Sequence, residues 1–221
     1  MDPLPSTTPD FWNSRYLSNQ TPWDFGGVPA DLKAYLKTHP RGGRVLIPGC
    51  GSGYEIKAFI EAGYTVTALD LSPVAVARAR QLVGPDSAPN IFASDFFQHD
   101  FGSTQFDVVY ERTFICALLP EQRNAYRDRI AALLKYRGAL LGYFYYQTPD
   151  LRAGPPFGFA WGTADELFAR YFLLVKDIPV ADSLPLFAGH EHWQEWHRTS
   201  FGATPTSSLK ERERVPLHSS I

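Results

Sequence analysis

Three glycines at alternate positions, Gly49, Gly51 and Gly53, are the residues of this sequence whose spacing first suggests chemistry. They follow a short apolar run at residues 44–48, which predicts a buried strand that ends in a loop. Glycine lets the backbone turn sharply and approach a ligand that a Cβ atom would exclude. A helix predicted at 55–62 would direct free backbone N–H groups at that ligand. A glycine-rich turn after a strand can also be purely structural, so the loop alone does not decide.

A carboxylate ends the next predicted strand. Asp70 follows the β-branched, apolar run at 65–69 and lies about 20 residues beyond the glycine loop, where an acid can accept the two hydroxyls of an adenosine ribose. The alternative is that Asp70 belongs to the start of a helix at 74–83, which Ser72 would cap and Pro73 would begin. The position therefore has both a ligand-binding and a structural interpretation.

A second acid follows the weaker strand predicted at 91–93. The carboxylate of Asp95 can take the exocyclic amine of an adenine, and the ring of Phe96 can pack on the base. Glycine loop, Asp70 and Asp95 each end a strand, and ligands bind outside the carboxyl ends of strands in such sheets. Together they indicate an adenosine-containing ligand more specifically than any of them does alone.

Strands that alternate with helices predict an α/β fold, a mostly parallel sheet with helices on both faces. Besides the elements above, the pattern predicts strands at 106–110, 139–146 and 190–199, and helices at 10–18, 29–37, 120–134 and 164–171. Apolar residues continue from the last helix to residue 180 without a defined element. The N-terminal 28 residues are expected to form a lid, residues 29–199 the main domain and 200–221 a flexible tail.

Hydride-transferring enzymes are the main competing class, because they also use a glycine loop and an acid on the second strand. Their G-x-G-x-x-G pattern requires glycine where this chain has Tyr54. Glycines at alternate positions followed by Asp-Phe after the third strand favour the methyltransferase version of the sheet. An NAD-dependent oxidoreductase stays as the alternative, which binding of NAD or of S-adenosylhomocysteine would separate.

Several segments resemble the thiopurine S-methyltransferase family, which also includes the plant halide and thiol methyltransferases. The resemblance spans roughly residues 11–198 and rests on Trp12, Tyr16, Thr21-Pro22-Trp23-Asp24, residues 47–54, Asp70-Leu71-Ser72, Asp95-Phe96-Phe97, residues 106–123 and Gly154-Pro155-Pro156-Phe157. It implies a Rossmann-like class I methyltransferase fold with a seven-stranded sheet whose last strand is antiparallel. It also implies S-adenosyl-L-methionine as the cofactor.

The resemblance implies that the cofactor lies among the N-terminal aromatics and the strand ends. With the neighbours in each motif, the expected cofactor-binding residues are Trp12, Tyr16, Trp23, Pro48, Gly49, Cys50, Gly51, Gly53, Asp70, Leu71, Ser72, Asp95, Phe96, Phe97, Glu111 and Arg112. Aromatic faces suit a sulfonium, which is a cation without hydrogen-bond donors. The same aromatics could also serve as hydrophobic cover over the domain.

The segment after the fourth strand bears on the methyl acceptor. Halide and thiol methyltransferases typically have Asp-Tyr there, whereas this chain has Glu111-Arg112, as in the thiopurine branch. Arg112, the expected catalytic residue, could bind the methionyl carboxylate of the cofactor or an anionic, delocalised acceptor. An ion pair between Arg112 and Glu111 is the structural alternative. The expected substrate-binding residues are Trp23, Phe25, Arg112, Phe114 and Phe157.

Methyl transfer is an in-line displacement, so orientation of the acceptor is the main task of such an enzyme. A thiolate, thiocyanate or thiopurine anion needs no strong general base, and no His or Lys occupies a motif position suited to that role. We therefore expect S-methylation of a small soft nucleophile. An O or N acceptor, or a cofactor-binding protein without catalysis, are the alternatives.

Composition excludes several partners. The net charge of −2 gives no general attraction to nucleic acid or to an anionic membrane. No run approaches the roughly 20 apolar residues of a membrane-spanning helix, and the first residues do not resemble a secretory signal. With only Cys50 and Cys116, reduced thiols in the cytoplasm are the simplest expectation. The sequence gives no indication of oligomeric state.

The cluster His190, His192, Glu195 and His197 contains residue types that bind metals. Alternation along a strand places His190 and His192 on one face and His197 on the other, and the spacing matches no zinc motif. We therefore expect no metal site. Neither cysteine has a recognisable His partner, so a cysteine nucleophile is not expected either.

Overall fold

A seven-stranded sheet forms the centre of the computed structural model, which describes residues 5–39, 42–147 and 154–200. The strands are β1 Arg44–Pro48, β2 Thr65–Asp70, β3 Ile91–Ala93, β4 Phe106–Arg112, β5 Leu134–Tyr145, β6 Phe172–Pro179 and β7 Glu191–Arg198. The helices are α1 Pro9–Leu17, α2 Ala30–Thr38, α3 Tyr54–Glu61, α4 Pro73–Val83, α5 Arg123–Leu133 and α6 Thr163–Phe168. Their order along the chain confirms the alternation predicted from the sequence.

The strands lie in the order β3-β2-β1-β4-β5-β7-β6. The first five strands in this order are parallel, and β7 is antiparallel to both β5 and β6. Because chain order reverses direction across the sheet at β1, the loops after β1, β2 and β4 converge on one edge. The expected α/β, Rossmann-like class I methyltransferase sheet is confirmed.

Alternate side chains of β1 enter two separate cores, as the pleat of a strand requires. Val45 and Ile47 pack in a cluster with residues of α2, α3 and α4, whereas Leu46 packs on the opposite face with residues of α5 and α6. All three side chains are buried. The run Val-Leu-Ile is therefore buried on both faces, which is why it is continuously apolar.

Two elements differ from the sequence prediction. β5 begins at Leu134 rather than at 139, because Leu134 pairs with Phe106 before the register shifts between Phe106 and Val108. β6 was not predicted as a strand, only as apolar sequence. It is an edge strand with a register shift and exposed Leu173 and Val175, so it lacks a regular alternation of burial.

The predictions for the N-terminal segment and for the C-terminal tail can be compared with the structure only in part. The N-terminal segment contains α1, close to the predicted bounds, and α4 begins at Pro73 with the Ser72 side chain accepting a hydrogen bond from the Ala75 N–H at 3.2 Å. The predicted tail lies outside the described residues except for Ser200. Within the described residues, no helix is both long and apolar enough to cross a bilayer.

Leu46→Ala should strongly destabilise the protein, because Leu46 is fully buried at the centre of the sheet. Truncation of such a leucine typically lowers the free energy of unfolding by about 3–5 kcal/mol. Leu17→Ala is the matched control, since Leu17 is 71% exposed at the end of α1. Urea unfolding of both variants measures the difference, and equal losses would contradict the placement of Leu46 in the core.

Candidate active site

A cavity of about 300 Å³ lies at the carboxyl ends of β1, β2, β3 and β4, beneath α1 and the segment that follows it. The predicted site residues that line it are Trp12, Tyr16, Trp23, Phe25, Gly49, Cys50, Gly51, Asp70, Leu71, Asp95, Phe96, Phe97, Arg112 and Phe114. Five others, Pro48, Gly53, Ser72, Glu111 and Phe157, are not part of its lining. The structure thus brings most of the predicted residues around one space.

The glycine loop approaches its neighbours too closely to tolerate side chains. A Cβ atom on Gly49, whose φ is +63°, would lie 2.6 Å from the Phe114 ring. At Gly53, with φ at +85°, it would lie 2.8 Å from the Ala79 Cβ atom. The absence of a Cβ atom at Gly49 therefore lets the loop lie close against Phe114, whereas Gly53 permits close packing of α3 on α4 and does not line the cavity.

Asp70 holds the loop in place from the end of β2. Its carboxylate accepts hydrogen bonds from the Gly51 N–H at 3.0 Å and the Ser72 N–H at 2.8 Å. Burial raises the pKa of Asp70 to about 6, and the two N–H groups oppose that rise. At neutral pH the carboxylate is ionised and lines the cavity, so it is an acceptor for ligand hydroxyls.

Asp95 and two phenylalanines form the wall after β3. The Asp95 carboxylate accepts the Phe97 N–H at 2.8 Å, which closes a tight turn. The Phe96 ring meets Phe97 and Phe114 edge to face, at centroid distances of 5.3 and 5.4 Å. This wall combines a carboxylate with apolar ring surface, which suits a flat heteroaromatic group with an exocyclic amine.

Three N-terminal aromatics lie over the cavity. Trp23 meets Trp12 and Tyr16 edge to face, at centroid distances of 5.4 and 6.0 Å. The Trp23 indole N–H donates to the Tyr16 hydroxyl at 3.4 Å. The aromatic segment is therefore a cohesive layer, and it presents ring surface to the cavity.

Hydrogen bonds attach the N-terminal segment that carries this layer to α4 and to the glycine loop. The Ser72 hydroxyl donates to the Asn13 side-chain oxygen at 2.6 Å, and Arg78 donates to the Tyr16 carbonyl. The Ser52 hydroxyl donates to Asp24 at 2.5 Å. Ser72 therefore caps α4 and fastens α1, a structural role next to the cavity rather than in its lining.

The last two residues of β4 point to opposite faces of the sheet. Glu111 is fully buried and accepts hydrogen bonds from the Phe114 N–H, the Ile115 N–H and the Tyr126 hydroxyl, at 2.8, 2.9 and 2.7 Å. Burial raises the pKa of Glu111 to about 7, against the effect of these donors. Glu111 thus shapes the loop after β4 from behind the cavity.

Arg112 projects into the cavity between two aromatic rings. Its guanidinium carbon lies 5.0 Å from the Phe25 centroid and 4.4 Å from the Tyr143 centroid. Its Nε atom lies 3.7 Å from a carboxylate oxygen of Glu55. The ion pair considered between Arg112 and Glu111 is therefore wrong, because alternation along the strand separates the two side chains.

Sequence reasoning missed several residues that line the cavity, among them Glu55, Tyr110, Leu186 and Phe187. A signal existed for two of them. Glu55 is in the first turn of the helix after the glycine loop, and Tyr110 is two residues before Arg112 on the same strand face. The segment with Leu186 and Phe187 comes from between β6 and β7, and no motif marks it.

Phe157 and the histidine cluster are placed elsewhere. The Phe157 N–H donates to the Cys116 carbonyl at 2.6 Å, so its backbone supports the loop after β4. The His192 Nδ1 atom lies 2.7 Å from an Asp177 carboxylate oxygen, across β6 and β7. In the ranges the structure describes, no group of three His, Cys, Asp or Glu side chains is arranged to hold a metal ion.

The fold and the cavity define a class I S-adenosylmethionine-dependent methyltransferase. A glycine loop after β1, acids after β2 and β3 and an antiparallel β7 match this class. The cavity fits the cofactor, because the carboxylates of Asp70 and Asp95 line it together with aromatic rings, which suits the hydroxyls and the base of an adenosine. The cofactor is S-adenosylmethionine, and the alternative of an NAD-dependent oxidoreductase is set aside.

The chain belongs to the thiopurine S-methyltransferase (TPMT) family, whose sequence profile matches residues 7–198. It is 29% identical over 193 residues to thiocyanate methyltransferase 1 of Arabidopsis thaliana, covering 85% of this chain and 84% of that protein. It is 28% identical over 190 residues to thiopurine S-methyltransferase of Vibrio parahaemolyticus, covering 78% of this chain and 87% of that protein. Both branches that the sequence resembles are thus represented among its relatives.

A solved structure shows the same fold. It is 1,6-didemethyltoxoflavin-N1-methyltransferase of Burkholderia thailandensis with bound S-adenosylhomocysteine, with a TM-score of 0.70 and 24% sequence identity. The similarity covers 86% of this chain and 87% of that one. At this identity the comparison concerns the fold and not the acceptor.

Glu111→Gln should make stability less dependent on pH. The folded-state pKa of about 7 exceeds the ordinary 4.5, so the folded protein retains a proton between these values that the unfolded chain loses. The associated stability is present below pH 4.5 and is lost as pH rises through 7. Between pH 5 and pH 8, the wild type should lose about 2–3 kcal/mol more than the variant in urea unfolding.

Glu121→Gln, a change at an exposed glutamate near the start of α5, is the control and should follow the wild type. The same pH dependence in the wild type and in Glu111→Gln would show that Glu111 is ionised throughout this range.

Proposed function

We propose that this protein methylates the sulfur of a small soft nucleophile such as a thiol, a thiopurine or thiocyanate. The observation that carries the proposal is the buried guanidinium of Arg112 in a cavity otherwise rich in aromatic and apolar side chains. A desolvated cation between aromatic rings suits a polarisable, delocalised anion better than a hydrated amine or alcohol. The thiocyanate and thiopurine methyltransferases among its relatives act on acceptors of this kind by their names.

We further propose which residues hold the cofactor. Asp70 accepts the ribose hydroxyls, and the backbone from Gly49 to Gly51, including Cys50, lies against the amino-acid portion. Asp95 binds the adenine amine, with Leu71, Phe96 and Phe97 packed on the base. Trp12, Tyr16 and Trp23 cover the sulfonium by cation–π attraction.

When bound, S-adenosylmethionine supplies a methyl carbon made electrophilic by its sulfonium. The protein's contribution is orientation, because a displacement at carbon requires the acceptor in line at about 3 Å. Arg112 fixes the acceptor by charge, and Phe25, Phe114 and Trp23 restrict it sterically. The aromatic layer excludes water, which strengthens the attraction between Arg112 and an anion.

The N-terminal segment up to residue 28 is, in this proposal, a lid rather than a separate folding unit. Its support is the set of bonds from Asn13, Tyr16 and Asp24 to the main domain. A cytoplasmic location is proposed from the two free, buried cysteines and is consistent with a small-molecule substrate.

The test of the proposed function is a transfer assay with S-adenosylmethionine carrying a labelled methyl group. Thiocyanate, an alkyl thiol and a thiopurine should become labelled, whereas phenols and primary amines should not. Calorimetry with S-adenosylhomocysteine establishes that the protein sample binds the cofactor product, and a parallel titration with NAD is the control for cofactor class. Labelling of phenols or amines by a protein that binds S-adenosylhomocysteine but leaves every sulfur acceptor unlabelled would refute S-methylation.

Asp70→Asn should weaken S-adenosylhomocysteine binding by about 10–100-fold, since it removes a buried ionic acceptor from the ribose hydroxyls. Asp86→Asn, at an exposed position beyond α4, is the matched control and should bind like the wild type. Titration calorimetry at pH 7.5 measures both. Unchanged affinity in Asp70→Asn would mean that Asp70 only supports the glycine loop.

A further inference from the structure

Two residues that line the cavity each have a buried donor without a partner among the described residues. The Nη2 atom of Arg112 and the hydroxyl of Tyr110 are inaccessible to solvent and have no hydrogen-bond partner among the described residues. Both side chains line the cavity, and their i, i+2 spacing on β4 puts them on the same face of the sheet. Because a buried donor without a partner is costly, this pair indicates a place for an electron-rich group of a ligand.

Glu55 also lines the cavity and lies beside Arg112. It projects from the first turn of α3 into the cavity, with its side chain 14% exposed and 3.7 Å from Arg112 Nε. The carboxylate therefore meets the guanidinium through one nitrogen and leaves Nη2 free. The arrangement combines two donors for an anion with one acceptor for a proton.

We propose that Glu55 accepts the proton of a neutral thiol substrate, while Arg112 Nη2 and the Tyr110 hydroxyl hold the thiolate that forms. The inference rests on the proposed S-methylation and adds how a thiol that is not yet ionised becomes a nucleophile. An alkyl thiol has a pKa of about 8.5, so a positioned base is useful at neutral pH. A thiocyanate ion needs no such step.

The reaction transfers one proton and one methyl group. The S–H bond of the acceptor breaks, its proton goes to a Glu55 carboxylate oxygen, and its electron pair stays on sulfur. The acceptor sulfur then bonds to the methyl carbon, whose bond to the cofactor sulfur breaks with the electron pair left on that sulfur. Glu55 finally releases the proton to solvent.

The surroundings of Glu55 suit a base that operates near neutrality. The groups facing it are Arg112 and Tyr110 from β4, Asp24 from the segment after α1 and Cys50 from the glycine loop. Burial raises the pKa of Glu55 to about 7, and the charge of Arg112 opposes the rise. The carboxyl group is thus close to half ionised at pH 7, where a general base is most effective.

The experiment compares Glu55→Gln with Glu61→Gln on two acceptors, 2-mercaptoethanol and thiocyanate, between pH 6 and pH 9. Glu61 is the matched control, because it is an exposed glutamate on the same helix, with its carboxylate 3.9 Å from Lys57 Nζ. In Glu55→Gln the ratio of kcat/KM for the thiol to that for thiocyanate should fall by about 100-fold or more at pH 7. The deficit should shrink at pH 9, and Glu61→Gln should keep the wild-type ratio.

Two further measurements separate base catalysis from a structural role. S-adenosylhomocysteine affinity of Glu55→Gln, measured by calorimetry, should stay within about threefold of the wild type. In the wild type, kcat/KM for the thiol should rise with pH through a pKa near 7 that is missing from the thiocyanate profile, which tests the inference even where the variant does not fold.

An equal loss on both acceptors, or S-adenosylhomocysteine binding weakened more than 10-fold, would overturn the inference. Glu55 would then hold the cofactor's ammonium group or only position Arg112. The two proposals fail in different ways. If the wild type binds S-adenosylhomocysteine but methylates neither of these acceptors nor a thiopurine, S-methylation itself is refuted, whereas two active acceptors with an unchanged ratio refute only the role of Glu55.

Discussion

β1 is hydrogen-bonded to a parallel strand on each side, with β2 and β4 as its neighbours. This pairing brings the glycine loop, Asp70 and Arg112 to one edge of the sheet, although they are far apart in the chain. It is maintained by a strand whose apolar side chains are buried in two cores at once. The cavity therefore depends on the central strand. Burial of β1 in both cores determines where the carboxyl ends of the strands lie, and the loops and the aromatic layer are arranged around these ends.

Asp70, Glu111 and Glu55 lie in or beside the cavity and are stabilised differently; the first two are buried, and the Glu55 side chain is 14% exposed. Asp70 receives two backbone N–H groups, Glu111 receives two N–H groups and a tyrosine hydroxyl, and Glu55 faces a guanidinium. Burial raises the pKa of all three. The more fully hydrogen-bonded groups hold backbone, whereas Glu55 has the fewest partners and the most freedom to exchange a proton.

The sequence was sufficient for the parts of this molecule that local pattern determines. The apolar run of β1, the glycines that follow it and the acids after β2 and β3 gave the sheet and one wall of the cavity. The direction in which a side chain points was harder to predict from sequence where it depends on strand register. Arg112 could not be assigned its partner Glu55 from sequence, because the choice depends on the face of β4 that α3 covers.

Distant and irregular segments were harder still to predict. Leu186 and Phe187 reach the cavity only because β6 and β7 return the chain along the far side of the sheet. β6 itself is an edge strand with a register shift, and neither period two nor a continuous apolar run describes it. In both cases long-range packing, rather than local preference, determines the structure.

The double hydrogen bond of Ser72 links two parts of the enzyme. Its N–H donates to Asp70, and its hydroxyl donates to Asn13 of α1. Ser72 therefore connects the carboxylate that lines the cavity with the helix that lies over it. Floor and roof of the cavity are thus joined through one serine that lies outside the lining, so the glycine loop and the N-terminal segment are parts of one connected wall.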